Sequence, residues 1–400
     1  MAFALTESVK TFSLHPHDPR ARSRRMTDPF LEARHLDLAD KARAFGERRL
    51  RAGADDESDP SGRTVEIVGL LARTGLLGAA VMAPFGTMDL RSLCVVRESL
   101  AYFSSLADRA FALQGLGSYA IAVAGTDVQK NRWLPAVASG QVICTLALTE
   151  PEAGSDLASV RCQGERDGAL WRLTGVKTLI SNAGIAGLYT VLARTGPQEG
   201  ARALSLFLVD GGAPGLSTQT LDPMAPHPLG EVRFAAVPAV LLGEEGAGYK
   251  LALATLDVFR PSVGAAACGL AQRALDEALR QALSRRQFGK TLAEHQATQI
   301  ALADMHVELE AARLLVRRAA WLKDQGQERI TREAASAKLF ATEMAQRVVD
   351  RAVQIHGGQG VLRGATVERL YREVRAFRLY EGSSEIQRMI VAASLIRNAH

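Results

Sequence analysis

The sequence predicts an α+β multidomain protein whose chain is helical at both ends and β-rich in the middle. Two observations predict this fold class: apolar residues recur at three- and four-residue spacing in both end regions, and short β-branched and aromatic runs lie between them. The 400 residues, 47% of them apolar, can bury several cores. We assign residues 28–141 to an N-terminal helical domain, 142–248 to a β-barrel or sandwich, and 249–400 to a C-terminal four-helix bundle.

The first 27 residues lack any sustained apolar pattern. They are rich in arginine and serine but contain no apolar core of the kind that a secretion signal needs. Because Glu7 and Asp18 are acidic, we predict a flexible N-terminal tail rather than a transit peptide.

Helical periodicity in the first domain begins at Leu31, Thr64 and Ser92, and glycines separate the runs. The third run contains GLGSYA (Gly115–Ala120), which matches the loose glycine fingerprint of dinucleotide-binding loops. That fingerprint should follow a strand, whereas here it follows helical sequence. We therefore predict that these glycines serve helix packing or a turn.

Short runs about ten residues apart, separated by Gly, Pro and Asp, replace the helical pattern after Val142. They predict these strands: VICTLALT, LWRLTGV, KTLISN, LYTVLART, LSLFLVD, LSTQTL and EVRFAAVPAVLL. Strands of this length and number are typical of a small barrel or sandwich.

Four long amphipathic helices are predicted after the β-rich region, as in an up-and-down bundle. They span Lys250–Ser284, Gln296–Gln325, Thr331–Ile355 and Ser384–Arg397. The first is apolar on more than one face between Val263 and Ala282, which indicates burial against a second subunit as well as within the chain. We expect a homo-oligomer, either a dimer or a tetramer.

Composition argues against several classes of protein. The four scattered cysteines form no CxxC pair and have no nearby histidines, which argues against a disulfide framework or a metal site. The formal charge of +5 is not concentrated in basic runs with interleaved aromatics, so we expect no nucleic acid partner. Because Arg73 and Arg260 interrupt the most apolar stretches, we expect no membrane span. A soluble protein of the cytoplasm, or of the mitochondrial matrix in a eukaryote, fits these features.

Two motifs place polar groups at turns. TEPEAGSD (Thr149–Asp156) ends the first predicted strand, where Gly154 and the hydroxyl and N–H of Ser155 would suit a phosphate or a polar ring edge. In FRLYEGSSEIQR (Phe377–Arg388), Glu381 stands just before a glycine and a helix start. Taken alone, Glu381 is simply an acid that faces a helix dipole.

An ordered series of motifs between Asp28 and Asn398 resembles the acyl-CoA dehydrogenase family of flavoenzymes. The strings are TEPEAGSD, GVKTLISNAG, LGEEGAGYK, RPSVGAAACGLAQRALDEAL, SRRQFGKTLAEHQ, QIHGGQGVL and LYEGSSEIQR. The resemblance implies FAD as cofactor, α,β-dehydrogenation of an acyl-CoA thioester, and electron transfer to an electron-transferring flavoprotein.

The resemblance also implies where FAD would lie, between the β-domain and the bundle of one subunit and reaching a second subunit. The β-domain positions that match flavin and pyrophosphate contacts are Leu146, Leu148, Thr149, Gly154, Ser155, Leu179 and Ser181. The bundle positions that match are Arg285, Gln287, Phe288, Gln296, Gln354 and Gly358, with Ser383 and Glu385 near the AMP portion. An arginine suits a pyrophosphate because its planar donors meet paired anionic oxygens, although Arg285 could also be a solvated helix-end cation.

By the same resemblance, Glu381 matches the base that removes the α-proton while hydride leaves the β-carbon for flavin N5. Its backbone N–H would help polarise the thioester oxygen. An apolar acyl chain should raise the pKa of Glu381 by desolvating it. Some family members carry the base instead where Phe259 stands here, and phenylalanine cannot accept a proton.

The positions that match substrate-binding residues are Asp257, Arg260, Tyr380 and Gly382. Asp257 and Arg260 are equally well spaced for an ion pair within one helix. We predict that Ser384 and Gln387 form a capping box at the last helix. His227 is interpreted as a surface histidine rather than a catalytic group.

Departures from the family pattern keep two alternatives open. Leu146 and Leu179 stand where many relatives have aromatic residues beside the flavin, so oxygen could be the electron acceptor. The first alternative is therefore an acyl-CoA oxidase or a flavin monooxygenase of the same fold. The second is a non-catalytic protein that binds acyl-CoA or FAD structurally, against which the presence of Glu381, Arg260 and Arg285 argues.

Overall fold

The computed structural model describes residues 28–53, 56–84, 86–168, 170–196 and 200–397. The predicted tail of residues 1–27 lies outside them. Helices, then strands, then helices follow one another along the chain, which confirms the α+β fold class. The domain boundaries 28–141, 142–248 and 249–400 stay a prediction.

The long elements of the N-terminal region are all α-helices. They are α1 (Ala33–Arg49), α2 (Pro60–Arg73), α3 (Leu90–Phe103), α4 (Ser105–Ala124) and α5 (Asp127–Ala138). Ser104 divides α3 from α4 because its backbone is extended and its hydroxyl accepts the N–H of Ala107 at 3.2 Å. The third periodic run of the sequence is thus two helices joined at a serine cap.

The glycines of GLGSYA lie inside α4 and allow close packing. A Cβ on Gly115 would lie 2.7 Å from the Phe259 ring, and one on Gly117 would lie 2.8 Å from Sγ of Cys144. The prediction of helix packing is confirmed. The consequence is that α4 lies directly against the segment around Phe259 and against the first strand.

The β-rich region forms a barrel. Its strands are β1 (Cys144–Ala147), β2 (Gln163–Asp167), β3 (Leu170–Ser181), β4 (Leu188–Arg194), β5 (Leu204–Asp210), β6 (Leu216–Thr220) and β7 (Leu229–Leu242). Pairings run from β4 through β2, β3, β7 and β5 back to β4, while β1 extends along β4 and β6 along β7. LWRLTGV and KTLISN are one strand, β3, with a register shift between Lys177 and Ile180. β2 was not predicted because QGERD is polar and mostly exposed.

The C-terminal region contains the four predicted helices and one more. They are α6 (Gly248–Ser284), α7 (Gln296–Asp324), α8 (Thr331–His356), α9 (Thr366–Arg375) and α10 (Ser384–Arg397), with a short hairpin of β8 (Arg286–Gln287) and β9 (Lys290–Thr291). α6, α7 and α8 pack on one another and α3 packs on α6. The unpredicted helix α9 buries Val367, Leu370 and Val374, whose spacing was a readable helical signal.

Helix α6 is also the helix that, among the described residues, has the length and composition to cross a membrane. Of its most apolar window, 78% is buried inside the fold.

Candidate active site

Glu381 lies in a tight turn between α9 and α10. Its φ is +54° and that of Gly382 is +95°, both in the left-handed region. A non-glycine residue held there costs about 1–3 kcal/mol and is often found at functional sites. A Cβ on Gly382 would collide with Nε2 of Gln387. The turn therefore requires glycine at position 382 and holds Glu381 in a strained backbone conformation.

Side chains from three helices hold the two carbonyls of this turn, and we call Arg260, Lys338 and Gln387 the carbonyl clamp. Nζ of Lys338 donates to Gly382 O at 2.8 Å, and Nε of Arg260 donates to Glu381 O at 3.2 Å. Nε2 of Gln387 donates to both carbonyls, at 3.2 and 3.0 Å. All three side chains are buried. The backbone of the turn is thus fixed by contacts that leave the Glu381 carboxyl free.

Glu381 is half-buried, and the Oε2 atom of its carboxyl is buried. Its Oε2 makes no hydrogen bond with any residue that the structure describes. Burial raises the pKa of Glu381, while the charges of Arg97, Lys338 and Arg260 oppose the shift and that of Asp108 adds to it. A carboxylate in this environment is a stronger base than a solvated one.

A buried ion pair lies beneath the turn. Nε and Nη2 of Arg97 donate to both oxygens of Asp108 at 2.8 and 2.9 Å, and Nη1 donates to the hydroxyl of Ser262 at 2.8 Å. The two-pronged geometry satisfies both charges, which is what burial of such a pair requires. Sequence reasoning missed this pair, since neither residue belongs to a recognised motif.

Lys338 of the carbonyl clamp has a shifted pKa. Burial lowers the pKa of Lys338 to about 8, with the Glu381 charge opposing that shift. Sequence reasoning missed Lys338 as well, because it lies in an unremarkable amphipathic stretch. The positive charge at this position therefore depends on pH within a physiologically accessible range.

The predicted substrate residues gather at the same place. Asp257 and Arg260 form the ion pair within α6, at 2.5 Å, and Nε of Arg260 also donates to the Glu381 carbonyl. Substrate binding by these two residues stays a prediction. Asp257 additionally accepts the hydroxyl of Thr331 at 2.7 Å. The OH of Tyr380 is buried with no hydrogen-bond partner among the described residues, and burial raises the pKa of this phenol.

The TEPEAGSD turn is shaped by a second buried ion pair, Glu150 with Lys177, at 2.7 Å. Glu150 also accepts the backbone N–H groups of Arg161 and Cys162, while Lys177 donates to Leu148 O at 2.9 Å. Glu150 belongs to TEPEAGSD and Lys177 to GVKTLISNAG, but their pairing was not predicted. The pair holds the turn so that Gly154 is exposed at its tip.

The β-domain candidates for the cofactor lie close together. The N–H of Thr178 donates to Thr149 O at 2.9 Å, and the hydroxyl of Thr145 donates to Ser181 O at 2.6 Å, so the end of β1 lies beside the end of β3. Leu146, Thr149 and Ser181 are half-buried, Leu148 is buried, and Gly154 and Ser155 are exposed. Leu179 sits at the register shift of β3 with φ +56° and is 60% exposed.

The bundle candidates for the cofactor face outward instead. Arg285, Gln287, Phe288 and Gln296 lie on or beside the β8–β9 hairpin, and all are exposed. Phe288 is 94% exposed. Across the described ranges no hydrogen bond joins this hairpin to the β-domain, so one chain does not bring the two sets together.

The remaining cofactor candidates lie at the ends of α8 and α10. Gln354 and Gly358 are exposed at the end of α8, and Glu385 is exposed at the start of α10, where Ser383 is half-buried. A Cβ on Gly154 or on Gly358 would meet no atom within 4 Å, so backbone is open at both places. Open glycine backbone, exposed apolar side chains and an exposed arginine fit a large, planar, anionic group such as FAD.

Two predictions at the site are wrong. His227 is half-buried rather than superficial, and burial lowers its pKa to about 3. Ser383, not Ser384, caps α10 by accepting the N–H of Ile386 at 3.4 Å. Ser384 instead donates to Glu343 at 2.6 Å, and Gln387 is occupied by the clamp. The sequence matches a capping box, but Glu343 binds the side chain of Ser384 and the turn carbonyls bind that of Gln387.

Comparisons with known proteins agree with the fold. Family models for the N-terminal, middle and C-terminal domains of acyl-CoA dehydrogenase match residues 32–141, 145–237 and 246–396. The chain is 36% identical to cyclohexane-1-carbonyl-CoA dehydrogenase of Geobacter metallireducens over 84% of its own length and 90% of that protein.

Two solved structures share the whole architecture. Butyryl-CoA dehydrogenase of Megasphaera elsdenii matches with a TM-score of 0.86 and 32% identity, over 92% of this chain and 99% of that one. A glutaryl-coenzyme A dehydrogenase in complex with glutaryl-CoA matches with a TM-score of 0.87 and 31% identity, over 92% of this chain and 96% of that one. The protein therefore belongs to the acyl-CoA dehydrogenase family of FAD-dependent oxidoreductases.

Proposed function

We propose that Glu381 is the base with which this FAD-dependent acyl-CoA dehydrogenase removes the α-proton of its thioester substrate. The observation that carries the proposal is the buried Oε2 of Glu381, which has no hydrogen-bond partner among the described residues, on a turn whose carbonyls are all held. Burial raises the pKa of this carboxyl. A buried carboxylate with a free oxygen is suited to accept a proton from carbon.

FAD, when bound, supplies the acceptor for the hydride that leaves the β-carbon. We propose that Leu146, Thr149, Gly154, Ser155 and Leu179 hold it from the β-domain. The hairpin residues and the end of α8 would contact the FAD of a neighbouring subunit. Their exposure in the single chain supports this division.

The chain's own groups account for the proton transfer. The free oxygen of Glu381 takes the α-proton, and the clamp keeps the backbone of the turn from moving as it does so. The Glu381 N–H donates no hydrogen bond to any described residue and is therefore available to the thioester oxygen.

We also propose a homo-oligomer, a dimer or tetramer, that passes electrons to an electron-transferring flavoprotein in the cytoplasm or the mitochondrial matrix. Large apolar side chains are exposed on α7 and α10: Ile300, Val307, Leu314, Met389, Leu395 and Ile396. Ile300, Val307 and Leu314 are spaced seven residues apart and so lie along one side of α7, and exposed apolar surface of this kind marks interaction sites.

Anaerobic titration of the purified protein with acyl-CoA tests the proposal for Glu381. The flavin of the wild type should bleach, whereas Glu381→Gln should keep its FAD and be reduced slower by several orders of magnitude. Glu328→Gln, an exposed acid in the turn after α7, is the matched control and should behave as wild type. A loss of only a few-fold in Glu381→Gln would place the base elsewhere.

A second candidate function, acyl-CoA oxidase, is favoured by one observation. Leu179 is 60% exposed where the resemblance leads one to expect a large aromatic cover for the flavin. Peroxide release under air, measured against turnover with an artificial dye, separates oxidase from dehydrogenase. Peroxide formation as fast as dye turnover would favour the oxidase.

A further inference from the structure

The buried ion pair of Lys177 and Glu150 also binds the main chain. Nζ of Lys177 donates to Oε1 of Glu150 at 2.7 Å and to the Leu148 carbonyl at 2.9 Å. Burial lowers the pKa of Lys177, and the negative charge of Glu150 opposes that shift. Apolar residues of similar volume often replace a buried ion pair without loss of stability, so the pair by itself is weak evidence for a stabilising role. The bond from Lys177 to the Leu148 carbonyl therefore calls for an explanation of its own.

This bond fixes the direction of the next N–H group along the chain, that of Thr149. No peptide bond of the described residues is cis, and in a planar trans peptide the C=O and N–H groups point in opposite directions. Because Lys177 holds the Leu148 carbonyl, the Thr149 N–H points away from Lys177, and it donates no hydrogen bond to any described residue. The Thr149 carbonyl accepts the N–H of Thr178 at 2.9 Å. The peptide units on both sides of Thr149 are therefore held.

Strand β3 is irregular at the place where it makes these contacts. Its pairing with β7 shifts register between Lys177 and Ile180, where Thr178 and Leu179 lie opposite a single residue of β7. A bulge of this kind interrupts the ladder and redirects the backbone and side chains of the bulged strand. The Lys177 ammonium and the Thr178 N–H, which are neighbours at the bulge, both bind the segment that follows β1.

We propose that Lys177 is a positioning residue for the flavin, which holds the Leu148 carbonyl so that the Thr149 N–H is aimed at a polar acceptor of the isoalloxazine ring, while Glu150 compensates its charge. The inference rests on the proposed function, in which Thr149 is one of the residues that hold FAD. Two-electron reduction increases the negative charge on the ring. Because a donor that is already oriented stabilises developing negative charge without reorganisation, the fixed N–H should bind reduced FAD more tightly than oxidised FAD.

The midpoint potential of the bound FAD tests this inference without any acyl-CoA. Dithionite titration of the holoenzyme beside a reference dye measures it. In Lys177→Met the Leu148 carbonyl loses its donor, and affinity for reduced FAD should fall about 10-fold more than affinity for oxidised FAD. For a two-electron couple this ratio makes the potential about 30 mV more negative. Arg172→Met, which breaks an exposed ion pair with Asp167 on the same strand, is the matched control and should keep the wild-type potential.

A double variant, Glu150→Gln with Lys177→Met, separates positioning from stability. Lys177→Met alone leaves a buried carboxylate unpaired and should lower Tm, whereas the double variant buries no unpaired charge and should regain much of that loss. Its potential should nevertheless stay more negative than that of the wild type, because the Leu148 carbonyl still lacks its donor. Since the double variant removes one charge of each sign, this shift cannot come from the loss of a nearby positive charge.

A double variant that folds and has the wild-type potential would overturn the inference, as would an equal shift in Arg172→Met. A wild type that holds FAD but is bleached by no acyl-CoA would instead overturn the proposed function, and the comparison of potentials would remain decisive for Lys177.

Discussion

The turn at Glu381 and the β8–β9 hairpin beside Arg285 are organised in opposite ways. In the turn, both carbonyls are held by buried side chains of the same chain. On the hairpin, Phe288 is 94% exposed and has φ +50°, so it combines an unfavourable backbone with exposed apolar area. One chain therefore fixes by itself the turn that carries the proposed base, while its hairpin leaves a large apolar side chain exposed.

Replacing Gly382, in the turn that carries Glu381, should have the largest effect on the rate of flavin reduction. In Gly382→Ala the new Cβ collides with the Gln387 amide, and φ of +95° disfavours any side chain, so the turn must shift. Misplacement of a catalytic group by about 1 Å can cost roughly 100-fold, and we expect a loss of that order in flavin reduction with FAD content preserved. Stopped-flow reduction and the flavin-to-protein ratio measure the two quantities. Loss of FAD together with activity would show that the turn is not separable from the cofactor site.

Lys338→Met should lower the rate of reduction by about 10-fold, because it removes a charged hydrogen bond to the turn. It should also move the acidic limb of the rate profile to higher pH. The reason is that the Lys338 charge opposes the rise of the Glu381 pKa, so its removal lets that pKa rise further and the base protonates at higher pH.

The pH profile of flavin reduction in Lys338→Met checks this sign, and Lys323→Met, a partly exposed lysine at the end of α7, serves as the matched control. An unshifted acidic limb would show that Lys338 acts on the fold alone.

Arg285→Met tests the β8–β9 hairpin, and it should change the affinity for FAD. If the guanidinium meets the pyrophosphate of a neighbouring subunit's FAD, affinity for FAD should fall by about 10-fold. The free energy of unfolding of the apoprotein should change by less than about 0.5 kcal/mol, since Arg285 is exposed. Fluorescence titration with FAD and denaturant unfolding supply the measurements. Unchanged affinity would support the simpler reading of Arg285 as a solvated helix-end cation.

The smallest effect is expected at Leu179, which is exposed near the end of β3. Leu179→Trp should cover more of the bound flavin and slow peroxide formation in air by a few-fold, with dye-linked turnover nearly unchanged. Peroxide assays on air-equilibrated, substrate-reduced protein measure the change. An increase in peroxide would mean that Leu179 already restricts access of oxygen.

The sequence alone determined the succession of helical, β-rich and helical regions, and its resemblance to a known family singled out Glu381 as the candidate base. Periodicity, glycines at turns and motif spacing are local properties, so the elements from α6 to α8 were predicted to within a few residues. Where the local signal was weak the prediction failed: β2 is a polar strand, and its position depends on pairing with β3. Helix α9 is different, because its apolar spacing could have been read.

Only the tertiary structure decided which charged residues are buried and what they meet. Arg97 with Asp108, and Lys338 with the Gly382 carbonyl, join different elements of the fold, and nothing local in the sequence marks them. Charged side chains default to the surface because burying them unpaired is costly. Their partners come together only once helices from distant parts of the chain pack, and this packing leaves Oε2 of Glu381 buried without a hydrogen-bond partner among the described residues.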